Sequence, residues 1–218
     1  MGVEQAGPLD QRRRIMHAAF EVFVERGYGG ASTLAIASRA RVSKRELYAL
    51  FGSKQAILTA CITWRAERMR LPLDVPVPRS EAALGATLRS FGAVMLREFC
   101  QPSTIAMYRL AVAEAERAPE VARMLDSIGY DAVDCAAAAL LAGAVQAGLL
   151  AGEPASMTTT FFAILMGDAL ALRLLMRLAE PPDEAAIATR AQAATEVLLA
   201  LYKPRPEATA TLGPAAGQ

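Results

Sequence analysis

The 218 residues predict an all-α protein, with an N-terminal three-helix helix-turn-helix module and a C-terminal helical bundle. Three observations carry this. No stretch sustains period-two alternation, and Val and Ile are dispersed among Ala, Leu, Met and Arg. Apolar positions recur instead at three- and four-residue intervals, and the breaks fall at proline and glycine. A hydrophobic content of 54% and a mean hydropathy of +0.26 suffice for a sizeable core.

The first helix is expected over about 9–27, where Ile15, Ala19, Val22 and Phe23 share one face and Gly27 ends it. A second, over 33–40, opens with the hydroxyls of Ser32 and Thr33, which can cap free backbone N–H groups, and buries Ile36, Ala37 and Ala40. Arg41 and Val42 interrupt the pattern. Ser43 and Glu46 then form a Ser-x-x-Glu capping box, so a third helix starts at Lys44. On it Leu47 and Phe51 face inward, while Lys44, Arg45 and Tyr48 occupy the outward N-terminal surface. Gly52, Ser53 and Lys54 open a fourth helix over 54–71, whose N-terminal N–H groups and Lys54 make a ready anion site. Two short helices at this spacing, ahead of a basic helix start, read as a DNA-binding helix-turn-helix. Lys44 and Arg45 suit phosphate oxygens or guanine edges, and Tyr48 can donate to a phosphate. Residues 1–54 carry nine Lys and Arg against five Asp and Glu, whereas the remainder carries fourteen against seventeen. The basic part is the helix-turn-helix part.

Pro72, Pro76 and Pro78 make the next stretch a stiff connector. Helices then follow over about 80–100, 103–117, 119–127, 129–151, 155–179 and 183–202. Their punctuation is Pro102, Pro119, Gly152 with Pro154, and Pro181-Pro182. The expected organisation is a DNA-binding domain at 9–54, a connecting helix at 55–71, a helical-bundle domain at 79–203, and a disordered tail at 204–218 rich in Pro, Ala, Thr and Gly. Residues 135–152 imitate a membrane span, with seventeen non-polar residues of eighteen against the ~20 a bilayer helix needs. They are rich in Ala and Gly, contain Gln146 and follow Asp131 and Asp134, so they read as a helix buried on all sides of a bundle. No membrane partner is expected.

The 155–179 helix is apolar almost all round, and one core covers only one face. A second protomer would supply the other cover. The final helix, with Ile187, Ala191, Ala194, Val197, Leu198 and Leu201 at helical spacing, would complete a four-helix homodimer interface with Leu198 near the two-fold axis. Candidate ligand-pocket residues are the large adaptable side chains Phe91, Met95, Phe99, Met107, Tyr108, Tyr130, Phe161, Phe162 and Met166; ordinary core is the competing reading of each. Arg109 and Asp168 lie in apolar helical stretches, so each needs a partner: they pair with each other, or one anchors a polar ligand group. Gln146 is a further candidate donor to a ligand, or else a cap on a neighbouring backbone group.

No catalytic residue, metal site or cofactor is expected. His17 is the single histidine, so neither a His-based triad nor a multi-histidine metal site can be assembled. Without strands there is no strand-to-helix phosphate loop. Cys61, Cys100 and Cys135, 39 and 35 residues apart, suggest neither a disulfide framework nor a clustered metal site; they read as small core residues, with a redox-sensing thiol as the other possibility. The polar opening Met1–Asp10 does not resemble a signal segment, and a cytoplasmic location is expected.

Residues 12–58 resemble the N-terminal domain of the TetR/AcrR family of bacterial transcriptional repressors. The resemblance is carried by Arg26-Gly27-Tyr28, Ser32-Thr33, Ile36-Ala37, Val42-Ser43, Leu47-Tyr48 and Phe51-Gly52-Ser53-Lys54 at the family's spacing. It implies phosphate contacts from Ser32, Thr33, Tyr48 and Lys54, and groove reading by Ser43, Lys44, Arg45 and Ala49. Two positions depart from the family pattern. Arg41 stands where Gly is usual, at about 1 kcal/mol if its φ is positive, and Leu50 stands where many members have His. Within 81–178, Met107-Tyr108-Arg109-Leu110, Ala113-Glu114-Ala115, Pro119-Glu120 and Gly167-Asp168 resemble the effector domain of the family's AefR-like branch. That implies that 79–203 is an effector-binding and dimerisation domain, a bundle around a small-molecule pocket with the last two long helices paired across a two-fold axis. The expected function is a ligand-responsive repressor that binds a near-palindromic double-stranded operator as a homodimer and is released by a mostly apolar small molecule. The alternative is an all-helical interaction or scaffold protein that has lost DNA reading.

Overall fold

A computed structural model describes residues 8–167 and 169–204. The expected disorder of the tail beyond 204, and any role of Asp168, fall outside the described residues. Those residues form helices α1 (Pro8–Gly30), α2 (Thr33–Ala40), α3 (Lys44–Phe51), α4 (Lys54–Arg70), α5 (Glu81–Cys100), α6 (Pro102–Ala113), α7 (Pro119–Met124), α8 (Asp131–Gln146), α9 (Pro154–Leu165), α10 (Leu170–Leu175) and α11 (Glu184–Leu201). A 3₁₀ turn, Leu71–Leu73, starts the proline connector, and a π-helical segment, Leu125–Tyr130, joins α7 to α8. The all-α fold with an N-terminal helix-turn-helix and a C-terminal helical bundle is as the sequence predicts.

Two buried clusters organise the packing. The first gathers Ile15, Ala19, Val22 and Phe23 of α1, Ile36 and Ala37 of α2, Leu47 of α3 and Ile57 and Leu58 of α4. It is closed by Met107, Leu110 and Ala111 of α6 and by Val121, Met124 and Leu125. The helix-turn-helix core is therefore completed by residues from far along the chain. The second cluster joins Leu84, Leu88, Phe91 and Leu96 of α5 to Leu140, Leu141 and Ala144 of α8, Phe161 and Leu165 of α9, and Ile187, Ala191, Ala194 and Leu198 of α11.

Gly27 sits where the first cluster meets α6. Its φ of 71° and ψ of 166° lie in a region essentially only glycine occupies, and a Cβ there would collide with the Glu114 carboxylate. Gly27→Ala should destabilise the protein by about 2 kcal/mol or more, read as a lower denaturant midpoint at unchanged slope.

Several predicted boundaries move. The helix expected over 103–117 stops at Ala113, because the chain turns through Glu114 to bring Ala118 and Pro119 into the start of α7. The gap expected near 128 is a π segment that continues the helix, with the Asp131 N–H donating to the Asp126 carbonyl. One extra residue is absorbed there. Without it Val133, eight residues after Leu125, would stand about 80° off the Leu125 face; with it the offset falls to about 20°. The helix predicted to reach 151 ends at Gln146, since Gly148 (φ 72°) lets Leu149 N–H return to the Ala144 carbonyl in a Schellman turn. That helix is not buried on all sides as predicted: Val133, Ala137, Leu140, Leu141 and Ala144 are buried, but Cys135, Ala139 and Gln146 are exposed. Pro119–Gln146 as a whole is long and apolar enough to cross a membrane, yet only 28% of its apolar window is buried; small alanines cover the outer face. The apolar helix predicted over 155–179 is broken between Leu165 and Leu170, with Ala169 left-handed at φ 52°.

Candidate nucleic-acid interface

Helices α2, α3 and α4 are each fixed at the start by a serine hydroxyl. Ser32 Oγ accepts from Ala35 N–H at 3.1 Å, Ser43 Oγ from Glu46 N–H at 3.1 Å and Ser53 Oγ from Ala56 N–H at 3.0 Å. At α3 the box is reciprocal, with Ser43 N–H donating to Glu46 Oε2 at 2.7 Å. These hydrogen bonds hold the Glu46 carboxyl below the ordinary carboxylate range, with the Ser43 side chain the foremost cause, the Ser43 backbone next and Gln11 after it. Arg41 at the corner is left-handed, φ 55°, while Val42 N–H returns to the Ala37 carbonyl at 3.0 Å. A left-handed non-glycine costs about 1–2 kcal/mol and glycine's greater loss of chain entropy about 0.5–1. Arg41→Gly should therefore raise stability by about 0.5–1 kcal/mol, as an upward shift in thermal midpoint.

With α3 seated on buried Leu47 and Phe51, its other face is open. Lys44, Arg45, Tyr48 and Ala49 are exposed there. Arg45 has no intramolecular ion pair among the described residues. Lys44 Nζ lies 5.7 Å from the Tyr48 ring centre, and Tyr48 OH lies 3.2 Å from Thr33 Oγ1, so the ends of α2 and α3 meet at one polar edge. Ser32, Thr33, Ser43, Lys44, Arg45, Tyr48 and Ala49 thus share a surface. Lys54 is different: its Nζ donates to the Tyr28 carbonyl at 2.7 Å and sits 4.4 Å over the Tyr28 ring, so an anion there would compete with an internal bond.

Sequence reasoning missed Arg12, which braces α3 from α1. Its guanidinium donates to the Leu50 carbonyl at 2.9 Å and lies 4.4 Å over the Phe51 ring. The signal was the basic run Arg12–Arg14 directly ahead of an amphipathic helix. Arg39, by contrast, is neutralised by a two-toothed pair with Glu25 at 2.6 and 2.8 Å.

The ligand-pocket candidates divide. Phe91, Phe161 and Phe162 form one aromatic cluster, with centroids 5.8–6.0 Å apart, and the half-exposed Tyr130 approaches Phe162 at 6.2 Å. Phe99 and Tyr108 pair at 5.5 Å, and Met95 and Met166 pack on the same core. Met107 does not join them, because it closes the helix-turn-helix core. Gln146 is exposed at the last turn of α8 and points neither into the bundle nor at a backbone cap. Arg109 donates to the carbonyls of Leu174 and Leu175 at 2.6 and 2.9 Å, so its partners are backbone carbonyls at the end of α10. The cysteines also separate. Burial pushes the Cys61 thiol up to about 12 and the Cys100 thiol up to about 11, against the opposing pull of Arg65 and Arg190, whereas Cys135 is exposed rather than a core residue.

A helix-turn-helix with a braced, exposed basic recognition helix, seated on an all-helical bundle, defines a DNA-binding transcription regulator. Residues 15–61 match the family described as bacterial regulatory proteins, tetR family, and residues 86–204 match the AefR-like transcriptional repressor C-terminal domain. The chain belongs to the TetR family. It is 48% identical over 56 residues to the HTH-type transcriptional activator FasR of Mycolicibacterium smegmatis, a match that spans 25% of this chain and about a quarter (26%) of that relative. Among solved structures it resembles the flavonoid-responsive regulator FrrA at 30% identity and a TM-score of 0.69, over 90% of this chain and 98% of the other. A TetR transcriptional regulator from Agrobacterium tumefaciens is 26% identical with a TM-score of 0.72, over 91% and 96%. A regulator from Mesorhizobium loti shares the fold at 20% identity and a TM-score of 0.71, over 92% and 100%.

Proposed function

We propose that the protein is a ligand-responsive repressor that binds a near-palindromic operator as a homodimer in the cytoplasm and releases it when a mostly apolar small molecule enters the bundle. The observation that carries this reading is the exposed Lys44, Arg45 and Tyr48 on a helix held at its start by the capping box and at its end by Arg12. Phosphate contacts fall to Ser32, Thr33, Tyr48 and Lys54, groove reading to Ser43, Lys44, Arg45 and Ala49. In this division of labour 9–54 reads DNA, 55–71 connects, and 79–203 senses and dimerises. The second protomer covers apolar side chains left open on the last helices: Leu172 is 57% exposed, Val197 40% and Leu201 65%. Leu198, which the sequence pattern put at the two-fold axis, is wholly buried in its own protomer instead.

The effector would displace or insert among Phe91, Phe162, Tyr130, Tyr108, Met95 and Met166, a lining suited to an aromatic molecule. The name of FrrA, a flavonoid-responsive regulator, supports that class. Mobility-shift titration against genomic fragments at several salt concentrations tests the DNA half. A steep loss of affinity with salt and selection of one fragment support the reading, and weak, sequence-indifferent binding overturns it. Calorimetry with a co-purified small molecule, with and without operator, tests the switch. The expected coupling of about 1–3 kcal/mol gives roughly 5- to 150-fold weaker ligand binding on DNA, and equal affinities would remove the switch.

A further inference from the structure

Glu98 is a carboxylate near the end of α5, only 6% exposed although its chain neighbour Arg97 is at the surface. Both its oxygens are taken by α4. Arg65 Nη1 donates to Oε2 at 2.9 Å and Arg68 Nε to Oε1 at 2.8 Å. Arg65 reaches on with Nη2 to Ser103 Oγ at 2.6 Å, in the first turn of α6, and Thr104 Oγ1 donates to the Glu98 carbonyl at 2.6 Å. Trp64, the single tryptophan of the chain, lies 5.4 and 5.1 Å from the two guanidinium groups. Burial would raise the Glu98 carboxyl, but the hydrogen bonds from Arg68 and Arg65 outweigh it and hold the group ionised below the usual carboxylate range. The far half of α4 is thus tied by charge to the α5–α6 corner of the bundle, while its first turn is tied by Lys54 to the helix-turn-helix.

We propose that Glu98 is a positioning residue for DNA recognition: with Arg65, Arg68 and Ser103 it sets the angle of α4 against the bundle, and so the operator half-site spacing that the protein accepts. The inference rests on the two-fold reading above. Its physical basis is direction. Apolar contacts along α4 tolerate small slides, whereas two charge-assisted hydrogen bonds on one carboxylate fix both distance and orientation. Because the same α4 carries the recognition helices at its other end, a relaxed joint lets the two readers of a dimer adopt several separations.

The test uses full-length protein and the operator recovered by selection from random DNA, with the central spacer lengthened or shortened by one base pair, about 3.4 Å. Unmodified protein should lose at least about tenfold in affinity for either altered spacer, and Glu98→Gln, which keeps the shape but cannot hold both arginines, should flatten that penalty to about threefold or less. Trp64 emission should shift in the same variant. Ile187→Val, a small core change distant from the joint, serves as the stability-matched comparison and should keep the full spacer profile. Should Glu98→Gln fail to fold, Arg68→Gln removes one tie at a half-exposed side chain and is read the same way. An unchanged spacer profile in a folded Glu98 or Arg68 variant overturns the proposal while leaving the dimeric reader intact. Absence of any spacer preference in the unmodified protein overturns both.

Discussion

Replacing Lys44 and Arg45 together by alanine should abolish operator choice and weaken operator binding roughly a thousandfold. Groove contacts of this type contribute about 1–3 kcal/mol each, and a dimer makes every contact twice, so even the lower figure gives about 4 kcal/mol over two half-sites. Both side chains are exposed and neither anchors the fold, so the melting temperature should stay within a degree or two of the parent's. Lys54→Ala should behave differently: it also loses the bond to the Tyr28 carbonyl, so it should weaken binding to all sequences alike and cost some stability. Titration of operator and scrambled duplex over a range of salt separates the two. Intact operator choice and affinity in the double variant would mean that α3 is not the reading helix.

Glutamate at Leu201 and at Leu198 should fail in opposite ways. Leu201 is 65% exposed in the protomer, so a charge there leaves the fold alone but would have to be desolvated in the proposed dimer interface, at several kcal/mol. Dimer dissociation should strengthen into the micromolar range, at an unchanged helical content. Leu198 is wholly buried against the bundle core, and glutamate there should unfold the chain itself. Sedimentation together with circular dichroism reads both. A Leu201→Glu protein that stays dimeric at nanomolar concentration would place the interface elsewhere.

The N-terminal module was legible almost residue by residue because its information is local. Three serine caps, a capping box and a left-handed corner each depend on neighbours within four positions. The bundle was legible in kind, and its breaks were not. Gly148 and the left-handed Ala169 end helices that apolar periodicity would have continued. Periodicity reports which faces are apolar and carries nothing about a backbone reversal inside an apolar run. The role of Met107 was hidden for a related reason, since which of two cores a methionine enters depends on how α6 crosses α1. Glu98 could have been found. The reasoning that flagged Arg109, a charge in an apolar helix needing a partner, applies to it equally, and its partners lie thirty and more positions earlier in the chain.

The π segment between Met124 and Asp131 makes the protein respond unequally to a gained and a lost residue at one place. Proline connectors and glycine turns elsewhere can take up either as slack. Here the extra residue is already stored inside a helix that runs between two cores. A one-residue deletion inside 125–130 would let a regular helical turn replace the wide one and leave everything after it facing as it does now. A further insertion would need a second wide turn or would swing everything after it by about 100° relative to everything before. The helix that closes the first cluster could then not also present its apolar face to the second, so this segment tolerates shortening by one residue better than lengthening.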